Sequence, residues 1–314
     1  MHLGLGTAAL GRPQYINVRL EHCDNSDLEI FRKQSFKVLE EAYNLGIRYF
    51  DTAPGYGLAE NLLLEWIQTK NDNSIKIATK WGYTYTANFK KNAKIHEVKE
   101  HSLAKLKEQW QFSKQLLPYL KVYQIHSATL ETGVLENTAV LNYLSDLKTK
   151  YNLKIGITTT GTNQVEVIKK ALNIFVDKTP IFDVFQVTYN FLEQSLLEIS
   201  NELIAQNKAL VIKEALANGR VLANKNYPNY QEIYKSLEKI ATKHKVGTDA
   251  IALQFCKQTI PNSVVLSGAS SKTQLQQNLK TGTVLLLEED IALLKSFKVL
   301  PEIYWAERKK LQWN

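Results

Sequence analysis

The stretch "RYFDTAPGYG", residues 48–57, ends an apolar run on a carboxylate, Asp51, and then turns through Pro54 and Gly55 to Tyr56. An unpaired buried charge is very costly, so a carboxylate at the end of a buried strand needs a partner. The stretch therefore predicts a strand whose end joins a polar site, followed by a turn that presents a tyrosine.

Seven further apolar runs resemble the one that ends at Asp51, and helical patterns separate them along nearly the whole chain. Their short, β-branched sequences are typical of parallel strands buried on both faces. The eight predicted strands are Leu3–Thr7, Ile47–Asp51, Ile75–Lys80, Leu120–His126, Lys154–Ile157, Val184–Val187, Ala209–Lys213 and Val264–Ser267. Eight alternating strands and helices predict an α/β fold, a closed (β/α)₈ barrel of the TIM type.

Two of the helices can be delimited from the sequence. Ser26 and Glu29 predict a capping box at the start of the first, and Gly46 predicts its end. The apolar residues between them recur on one helical face. A second helix is predicted from Asn229 to His244 on the same grounds.

The end of the chain contains more helical patterns than eight units require. They are "GTDAIALQFCKQT" at 247–259, a helix near Lys272–Leu279 and another opened by "LEED" at 287–290. We therefore predict at least two extra helices on the barrel. No linker rich in Pro, Gly or Ser interrupts the chain, which predicts a single domain over residues 1–314.

Composition excludes several classes of protein. The 314 residues are 44% hydrophobic but contain no apolar run long enough to span a membrane, and "MHLGLGTAAL" lacks the basic region of a secretory leader. Two distant cysteines, Cys23 and Cys256, fit a reducing cytoplasm, and the six histidines have no metal-ligand spacing. The net charge of +8 is scattered rather than clustered, so we expect no nucleic-acid partner.

Polar residues end six of the predicted strands: Asp51, Lys80, His126, Thr158, Gln186 and Lys213. Active sites of such barrels lie at the C-terminal ends of the strands, so these side chains are expected to converge, with Lys80 as the counter-ion of Asp51. A nearby ammonium would favour the phenolate of Tyr56 and lower its pKa. Tyr56 is then the expected proton donor, and His126 could orient a carbonyl oxygen.

Each of these residues alone has an ordinary structural explanation. Asp51 could cap a turn, and Lys80 could extend to solvent. His126 and Gln186 could be packed core side chains. Their joint occurrence at successive strand ends favours a catalytic group.

Three segments resemble the aldo-keto reductase family. "RYFDTAPGYGLAE" (48–60) is similar to the family signature, "IKIATKWG" (75–82) to its lysine strand and "LKVYQIHS" (120–127) to its histidine strand. The resemblance runs from "LGLGTAALG" at 3–11 to "KTQLQQN" at 272–278. It implies a barrel without a Rossmann domain, NADP(H) bound across the barrel mouth, and a catalytic tetrad of Asp51, Tyr56, Lys80 and His126.

The resemblance also implies which residues hold the cofactor and the substrate. Gly6 and Thr7 would lie near the nicotinamide ribose, and Gln186 would hold the carboxamide. The other implied cofactor residues are Thr158, Thr159, Lys213, Leu216, Ser267, Gly268, Ser270, Lys272, Gln274, Gln277 and Asn278. The implied substrate residues are Trp81, Tyr304 and Trp305, for which aromatic packing against the barrel rim is the alternative.

Three places depart from the family pattern. Thr158 and Thr159 replace the usual Ser-Asn pair, and Lys213 stands where many members stack a tyrosine on the nicotinamide. Gly268 and Gln274 stand where many members have cations for the 2′-phosphate. That group would then depend on Ser270, Ser271, Lys272 and a helix N-terminus. The prediction is NADP(H), with NAD(H) as the alternative.

The predicted function is reduction of an aldehyde or ketone to an alcohol, or the reverse reaction, on a small molecule. One alternative is a Schiff-base aldolase or lyase that uses Lys80 or Lys213. The other is a non-enzymatic subunit that senses the cofactor with the same fold. The spacing of Asp51 and Tyr56 favours the reductase.

Overall fold

The structure is a computed structural model that describes residues 3–15, 27–90 and 92–313. Its strands are β1 (Leu3–Gly6), β2 (Tyr49–Asp51), β3 (Lys76–Trp81), β4 (Tyr83–Tyr85), β5 (Glu97–Lys99), β6 (Leu120–Ala128), β7 (Lys154–Thr159), β8 (Phe175–Val176), β9 (Thr179–Pro180), β10 (Val184–Thr188), β11 (Ala209–Lys213) and β12 (Val264–Ser267). Eight of them close into a parallel barrel in the order β1-β12-β11-β10-β7-β6-β3-β2. The predicted TIM-type barrel and its eight strands are confirmed, with ends shifted by at most two residues.

Two antiparallel ribbons, β4–β5 and β8–β9, were not predicted from the sequence. The first of them follows directly on β3, and Tyr83 pairs with Lys99 at its base. It therefore stands at the end of the barrel where β3 terminates, beside Lys80. The segment that joins its strands, residues 86–96, contains Asn88 and Phe89 at positive φ.

The helices lie outside the barrel. They are α1 (Ala8–Gly11), α2 (Leu28–Asn44), α3 (Ala59–Ile67), α4 (Leu103–Ser113), α5 (Thr138–Tyr151), α6 (Gln164–Leu172), α7 (Ser200–Ala205), α8 (Gln231–His244), α9 (Thr248–Thr259), α10 (Lys272–Leu279), α11 (Glu288–Ser296) and α12 (Pro301–Lys309). Both α8 and α9 fall between β11 and β12, and α11 and α12 follow α10. The prediction of extra helices is confirmed.

The start of α2 differs from the prediction. Asp27 is its N-cap, and the carboxylate accepts hydrogen bonds from the backbone N–H groups of Glu29 and Ile30. The predicted cap, Ser26, lies outside the described residues, as does Cys23. Helix α8 begins at Gln231 rather than Asn229, because residues 228–230 form a 3₁₀ turn that starts at a proline.

Alternation along the strands divides the barrel residues into two cores. Small apolar side chains fill the interior, namely Ala78, Val122, Val184, Val211 and Leu266. The larger core lies between the strands and the helices. Successive strand residues face opposite sides, so Lys80 points inward like Ala78, and Gln186 like Val184. The polar strand ends are thereby directed into the mouth.

Two further properties bear on partners. Among the residues that the structure describes, none of the helices combines the length and apolarity needed to cross a membrane. Within the same ranges, no group of three or more His, Cys, Asp or Glu side chains is placed to hold a metal ion.

Candidate active site

Asp51 and Lys80 form a buried ion pair at the end of β2 and β3. Lys80 Nζ lies 2.6 Å from Asp51 Oδ2 and donates a second hydrogen bond to the Thr52 carbonyl over 2.9 Å. Burial lowers the pKa of Lys80, and the charge of Asp51 opposes that shift. Both side chains are almost fully buried, so each requires the other. The pairing predicted from the sequence is confirmed.

A tight turn holds Tyr56 against this pair. Residues 54–56 form a 3₁₀ turn, and the Leu58 N–H donates to the Gly11 carbonyl over 2.7 Å. Any Cβ at Gly11 would come within 1.8 Å of the Tyr56 carbonyl oxygen, so glycine permits this close approach. The ring centroid of Tyr56 consequently lies 4.8 Å from Lys80 Nζ.

The pKa of Tyr56 is shifted in the direction opposite to the prediction. Burial raises the pKa of the phenol well above its usual value, and the charge of Asp51 raises it further. The Lys80 ammonium is bonded to Asp51 and to the Thr52 carbonyl, and it faces the ring of Tyr56. The prediction of a lowered pKa is therefore wrong, and Tyr56 is a neutral phenol that keeps its proton.

His126 lies at an irregularity in β6. The register between β6 and β7 shifts after Ile125, and Ser127 has a φ of 51°. Such bulges re-aim side chains at barrel rims. The imidazole lies with its ring centroid 5.5 Å from that of Tyr56 and 4.7 Å from that of Tyr83. Burial lowers the pKa of His126 well below its usual value, and Lys80 and Arg12 lower it further, so the ring is neutral.

Gln186 makes a contact that the sequence did not indicate. Its amide nitrogen donates to Asp51 Oδ1 over 2.6 Å, so the amide is joined to the ion pair. The implied contact with a carboxamide remains a prediction for its carbonyl oxygen. Thr7 is likewise engaged, since its hydroxyl donates to the Asp51 backbone carbonyl over 2.9 Å.

The two threonines that end β7 face opposite sides of the barrel wall. The Thr158 hydroxyl accepts a hydrogen bond from the Ser127 N–H over 2.7 Å at the mouth. The Thr159 hydroxyl instead contacts Gln164 Oε1 at 3.3 Å, behind the strand. Thr159 is therefore directed away from the mouth, contrary to its implied role, because adjacent strand residues cannot share one face.

The segment 267–278 divides into buried and exposed positions. Ser267 donates to Asn278 Oδ1 over 2.6 Å, and Asn278 donates to Asp249 over 2.5 Å, so both are used to fix the loop to α9 and α10. Gly268, Ser270, Lys272, Gln274 and Gln277 are exposed. A Cβ built on Gly268 would meet no atom within 4 Å, so its backbone borders open space.

The start of α10 carries one cation, and a carboxylate neutralises it. Ser271 caps the helix by accepting from the Gln274 N–H, and the Ser270 N–H donates to the Gln274 side chain. Lys272 Nζ lies 3.1 Å from Glu41 Oε1 on α2. The lysine proposed for a 2′-phosphate is therefore already paired.

Lys213 belongs to a second charged cluster, with Glu214 and Arg308. Lys213 Nζ donates to the Thr188 hydroxyl over 2.6 Å and lies 3.7 Å from Glu214, whose carboxylate is 3.0 Å from Arg308. Burial disfavours the charge of Glu214, but Arg308 and Lys213 outweigh it and lower its pKa to about 2. The cluster ties the loop that contains Leu216 to α12.

The three aromatic residues implied for the substrate pocket lie in different environments. Trp81 is fully buried and packs against His101 in the helix layer, because it is the neighbour of the inward-facing Lys80. Tyr304 is also fully buried and donates its hydroxyl to Glu214 Oε2 over 3.1 Å. Neither can line a pocket. Trp305 is partly buried, 5.8 Å from Lys213 Nζ, and can border the mouth.

Arg12, the residue after α1, was not predicted from the sequence. The residue is 3% exposed, and its Cζ lies 5.4 Å from the Tyr56 ring centroid. Nη1 donates to the Gly55 carbonyl and to Glu97 Oε2, each over 2.9 Å. Arg12 follows the predicted strand Leu3–Thr7 by five residues, and nothing in that spacing indicates a contact with Tyr56.

Comparison with known proteins agrees with this geometry. The profile of the Aldo/keto reductase family matches residues 2–298. The chain is 25% identical over 309 residues to an uncharacterized oxidoreductase, YqkF, of Bacillus subtilis, covering 88% of this chain and 91% of that one. It is 22% identical to the NADH-specific methylglyoxal reductase of Escherichia coli over 93% of each chain. The solved structure of aldo-keto reductase AKR11C1 from Bacillus halodurans superposes with a TM-score of 0.70 at 23% identity, over 97% of this chain and 95% of that one.

The fold is a parallel eight-stranded barrel of the TIM class, with an acid, a lysine and a tyrosine close together where its strands end. The match over nearly the whole chain shows that this protein belongs to the aldo/keto reductase family. It is accordingly an NAD(P)-dependent oxidoreductase that acts on small molecules.

Proposed function

We propose that this protein reduces an aldehyde or ketone to an alcohol with NADP(H), or catalyses the reverse reaction, and that Tyr56 donates the proton. The observation that carries the proposal is the Asp51–Lys80 ion pair, 2.6 Å long, with the Tyr56 ring 4.8 Å from the ammonium. His126 beside the same ring completes the group implied by the family resemblance.

Tyr56 has the protonation state that an acid needs. Its raised pKa keeps the proton on the phenol oxygen until a stronger base, the developing alkoxide, takes it. The phenolate that remains is stabilised by the buried ammonium of Lys80. Asp51 keeps that ammonium in place, and Gln186 keeps Asp51 in place. Lys80, Asp51 and Gln186 thus form one chain of hydrogen bonds and charges behind the acid.

His126 orients the carbonyl group of the substrate and does not transfer the proton. A neutral imidazole has one N–H, which can donate to a carbonyl oxygen at the Tyr56 side of the mouth. The bulge at Ser127 fixes the ring, and the rings of Tyr56 and Tyr83 enclose it. A carbonyl oxygen that accepts from both Tyr56 and His126 is polarised before it is protonated.

The residues at the other side of the mouth fit a nicotinamide dinucleotide. Thr158 and Gln186 lie on the barrel strands β7 and β10, and the segment 268–274 offers open space beside Gly268 and the N-terminus of α10 for phosphate. When bound there, the cofactor supplies or accepts the hydride. Lys272 would supply a cation for a 2′-phosphate, which favours NADP(H). Because Glu41 competes for that cation, the proposed preference over NAD(H) is modest.

The test is oxidation of NADPH and of NADH with a panel of aldehydes and ketones, followed at 340 nm. Tyr56→Phe is expected to lower kcat by roughly 10²–10⁴-fold, because it removes only the acid. Phe175→Leu, at an exposed residue of the β8–β9 ribbon, serves as a control for nonspecific loss. Full activity of the Tyr56→Phe variant would exclude Tyr56 as the proton donor.

A further inference from the structure

Arg12 is a buried cation beside the proposed acid. Its guanidinium lies among aromatic rings, with Cζ 5.4 Å from the Tyr56 ring centroid, 5.2 Å from that of Tyr15 and 4.7 Å from that of Trp313. Burial of a charged side chain is costly unless its donors are used. The position therefore requires an explanation in terms of what the guanidinium binds.

The contacts within the protein use only part of that guanidinium. Within the described part of the chain, Arg12 donates from Nη1 to the Gly55 carbonyl and to Glu97 Oε2. The Nε atom is buried and has no hydrogen-bond partner among the described residues. A buried donor left without an acceptor costs free energy, so this N–H is suited to an acceptor that arrives with the substrate. Glu97, with 27% of its side chain exposed, is the only carboxylate paired with Arg12 in the described residues.

The cations around His126 indicate that the acceptor carries a negative charge. After burial, Lys80, Arg12 and Lys213 are the strongest influences on the pKa of His126, and all of them lower it. Lys80 is paired with Asp51, and Lys213 with Glu214 and the Thr188 hydroxyl. Arg12 is the cation next to Tyr56 that retains an unused buried donor. A neutral alkyl group on a substrate could not accept a hydrogen bond from this donor.

We propose that Arg12 binds an anionic group on the substrate, so that the preferred substrates are aldehydes or ketones that carry a carboxylate or a phosphate group. This inference rests on the proposed function and names its substrate class. Carboxylate and phosphate share the feature that matters, negatively charged oxygen atoms that can accept a hydrogen bond from the Nε–H of the guanidinium. Arg12 acts as a specificity-determining residue, while Tyr56 remains the acid.

The experiment compares matched charged and neutral substrates at saturating NADPH or NADH. The pairs are succinic semialdehyde and its methyl ester, 4-carboxybenzaldehyde and its methyl ester, and glyceraldehyde 3-phosphate and glyceraldehyde. We expect kcat/KM to be at least tenfold higher for the charged member, mainly through KM. A preference confined to the carboxylates or to the phosphate identifies which anion the site takes.

Two variants change the preference in opposite directions. Arg12→Met should lower kcat/KM for the charged member of each pair by roughly 10- to 100-fold more than for the neutral member, since one interaction with a charged group is lost. Glu97→Gln removes the anion that competes for Arg12 and should raise the preference for charged substrates. Arg12→Lys should fall between the wild type and Arg12→Met, because lysine keeps the charge without the paired donors.

The outcomes separate this inference from the proposed function. A charged-to-neutral ratio near one in the wild type, with good turnover of the neutral aldehydes, would overturn the anion site and leave the reductase intact. An equal loss for both members of each pair in Arg12→Met would show that Arg12 only clamps Gly55 to Glu97. No turnover of any carbonyl compound would remove both. If Arg12→Met does not fold, the wild-type ratio and Glu97→Gln still decide the question.

Discussion

The amide nitrogen of Gln186 donates a hydrogen bond to Asp51 Oδ1 across 2.6 Å, although the two residues are 135 positions apart. Lys80 occupies the other oxygen of the same carboxylate. One carboxylate is therefore held from two sides of the barrel, by β3 and by β10. The consequence is that the position of Lys80 beneath Tyr56 depends on an amide that contacts neither the lysine nor the tyrosine in the described hydrogen bonds.

Loss of the Gln186 amide is expected to weaken catalysis. Gln186→Met preserves the volume but removes the donor to Asp51, and we expect kcat/KM to fall roughly 10- to 100-fold, as for a hydrogen bond to a charged group. Gln124→Met is the matched control, because Gln124 is buried in the same barrel and neither polar atom of its amide has a hydrogen-bond partner in the described parts of the chain. That variant should be neutral or more stable. Equal losses in the two variants would refute the positioning role.

Substitutions of Asp51 and Lys80 are expected to have non-additive effects on the free energy of unfolding. Lys80→Met leaves a buried carboxylate without its cation, and urea denaturation should show a loss of about 3–5 kcal/mol. Asp51→Asn in the same background should recover part of this loss, since no charge then remains unpaired. Lys76→Met, at the exposed start of the same strand, should change stability little. Additive effects of the Asp51 and Lys80 variants would argue against the pair.

Glu60 is expected to make the protein less stable as the pH rises. Burial raises its pKa from 4.5 to about 7, although hydrogen bonds from Thr79 and Ser113 oppose the shift. Between pH 4.5 and about 7, the folded state therefore holds a proton on Glu60 that the unfolded state has released. The contribution of Glu60 to the free energy of unfolding is greatest below pH 4.5 and falls as the pH rises to about 7. The total is at most about 3 kcal/mol.

Glu60→Gln keeps an oxygen that accepts from Thr79 and Ser113 and removes the titration. Thermal unfolding between pH 5 and 8 should then show that the variant gains on the wild type as the pH rises. The same slope in both proteins would contradict the assignment to Glu60. Glu65→Gln on the same helix, an exposed residue paired with Arg32, is the control.

Arg308 is expected to stabilise the C-terminal helix through Glu214. Arg308→Met leaves the Glu214 carboxylate, 8% exposed, with the Tyr304 hydroxyl and with Lys213 at 3.7 Å as its remaining side-chain partners in the described residues, and should cost about 3–5 kcal/mol. Arg32→Met breaks an exposed pair with Glu65 and should cost at most about 1 kcal/mol. Chemical denaturation at pH 7 measures both. Because the pKa of Glu214 is about 2, its stabilisation is complete above pH 4.5 and is lost only as the pH falls toward 2.

Cofactor preference is expected to depend on Lys272 and Glu41 in opposite senses. Lys272→Ala should weaken NADPH binding roughly 5- to 10-fold and NADH binding hardly at all, while Glu41→Gln should strengthen NADPH by freeing the lysine. Lys280→Ala, at the other end of α10, is the control. The affinities are measured by fluorescence titration, with Trp305 as a reporter near the mouth. Equal effects on both cofactors would show that the 2′-phosphate is bound elsewhere.

Much of the architecture could be read from the sequence because it follows from local rules. Eight β-branched runs separated by helical patterns determine the barrel, and the polar residue at the end of each run determines which side chains meet. Asp51, Lys80 and His126 were found in this way. Alternation also predicts that Trp81, next to Lys80, faces outward, although the family resemblance implied a pocket residue.

Only the tertiary structure decided the features that depend on residues far apart in the chain. Gln186 bonds Asp51, Glu41 pairs with Lys272, and Arg12 lies beside Tyr56, and no spacing in the sequence indicates these distances. The pKa of Tyr56 is the clearest case. The predicted strand ends place a lysine near a tyrosine, which predicts a lowered pKa, but the sign depends on how much water the fold excludes. Burial is a property of the whole packed barrel, and here it raises the pKa of Tyr56, with the charge of Asp51 adding to the rise and that of Arg12 opposing it.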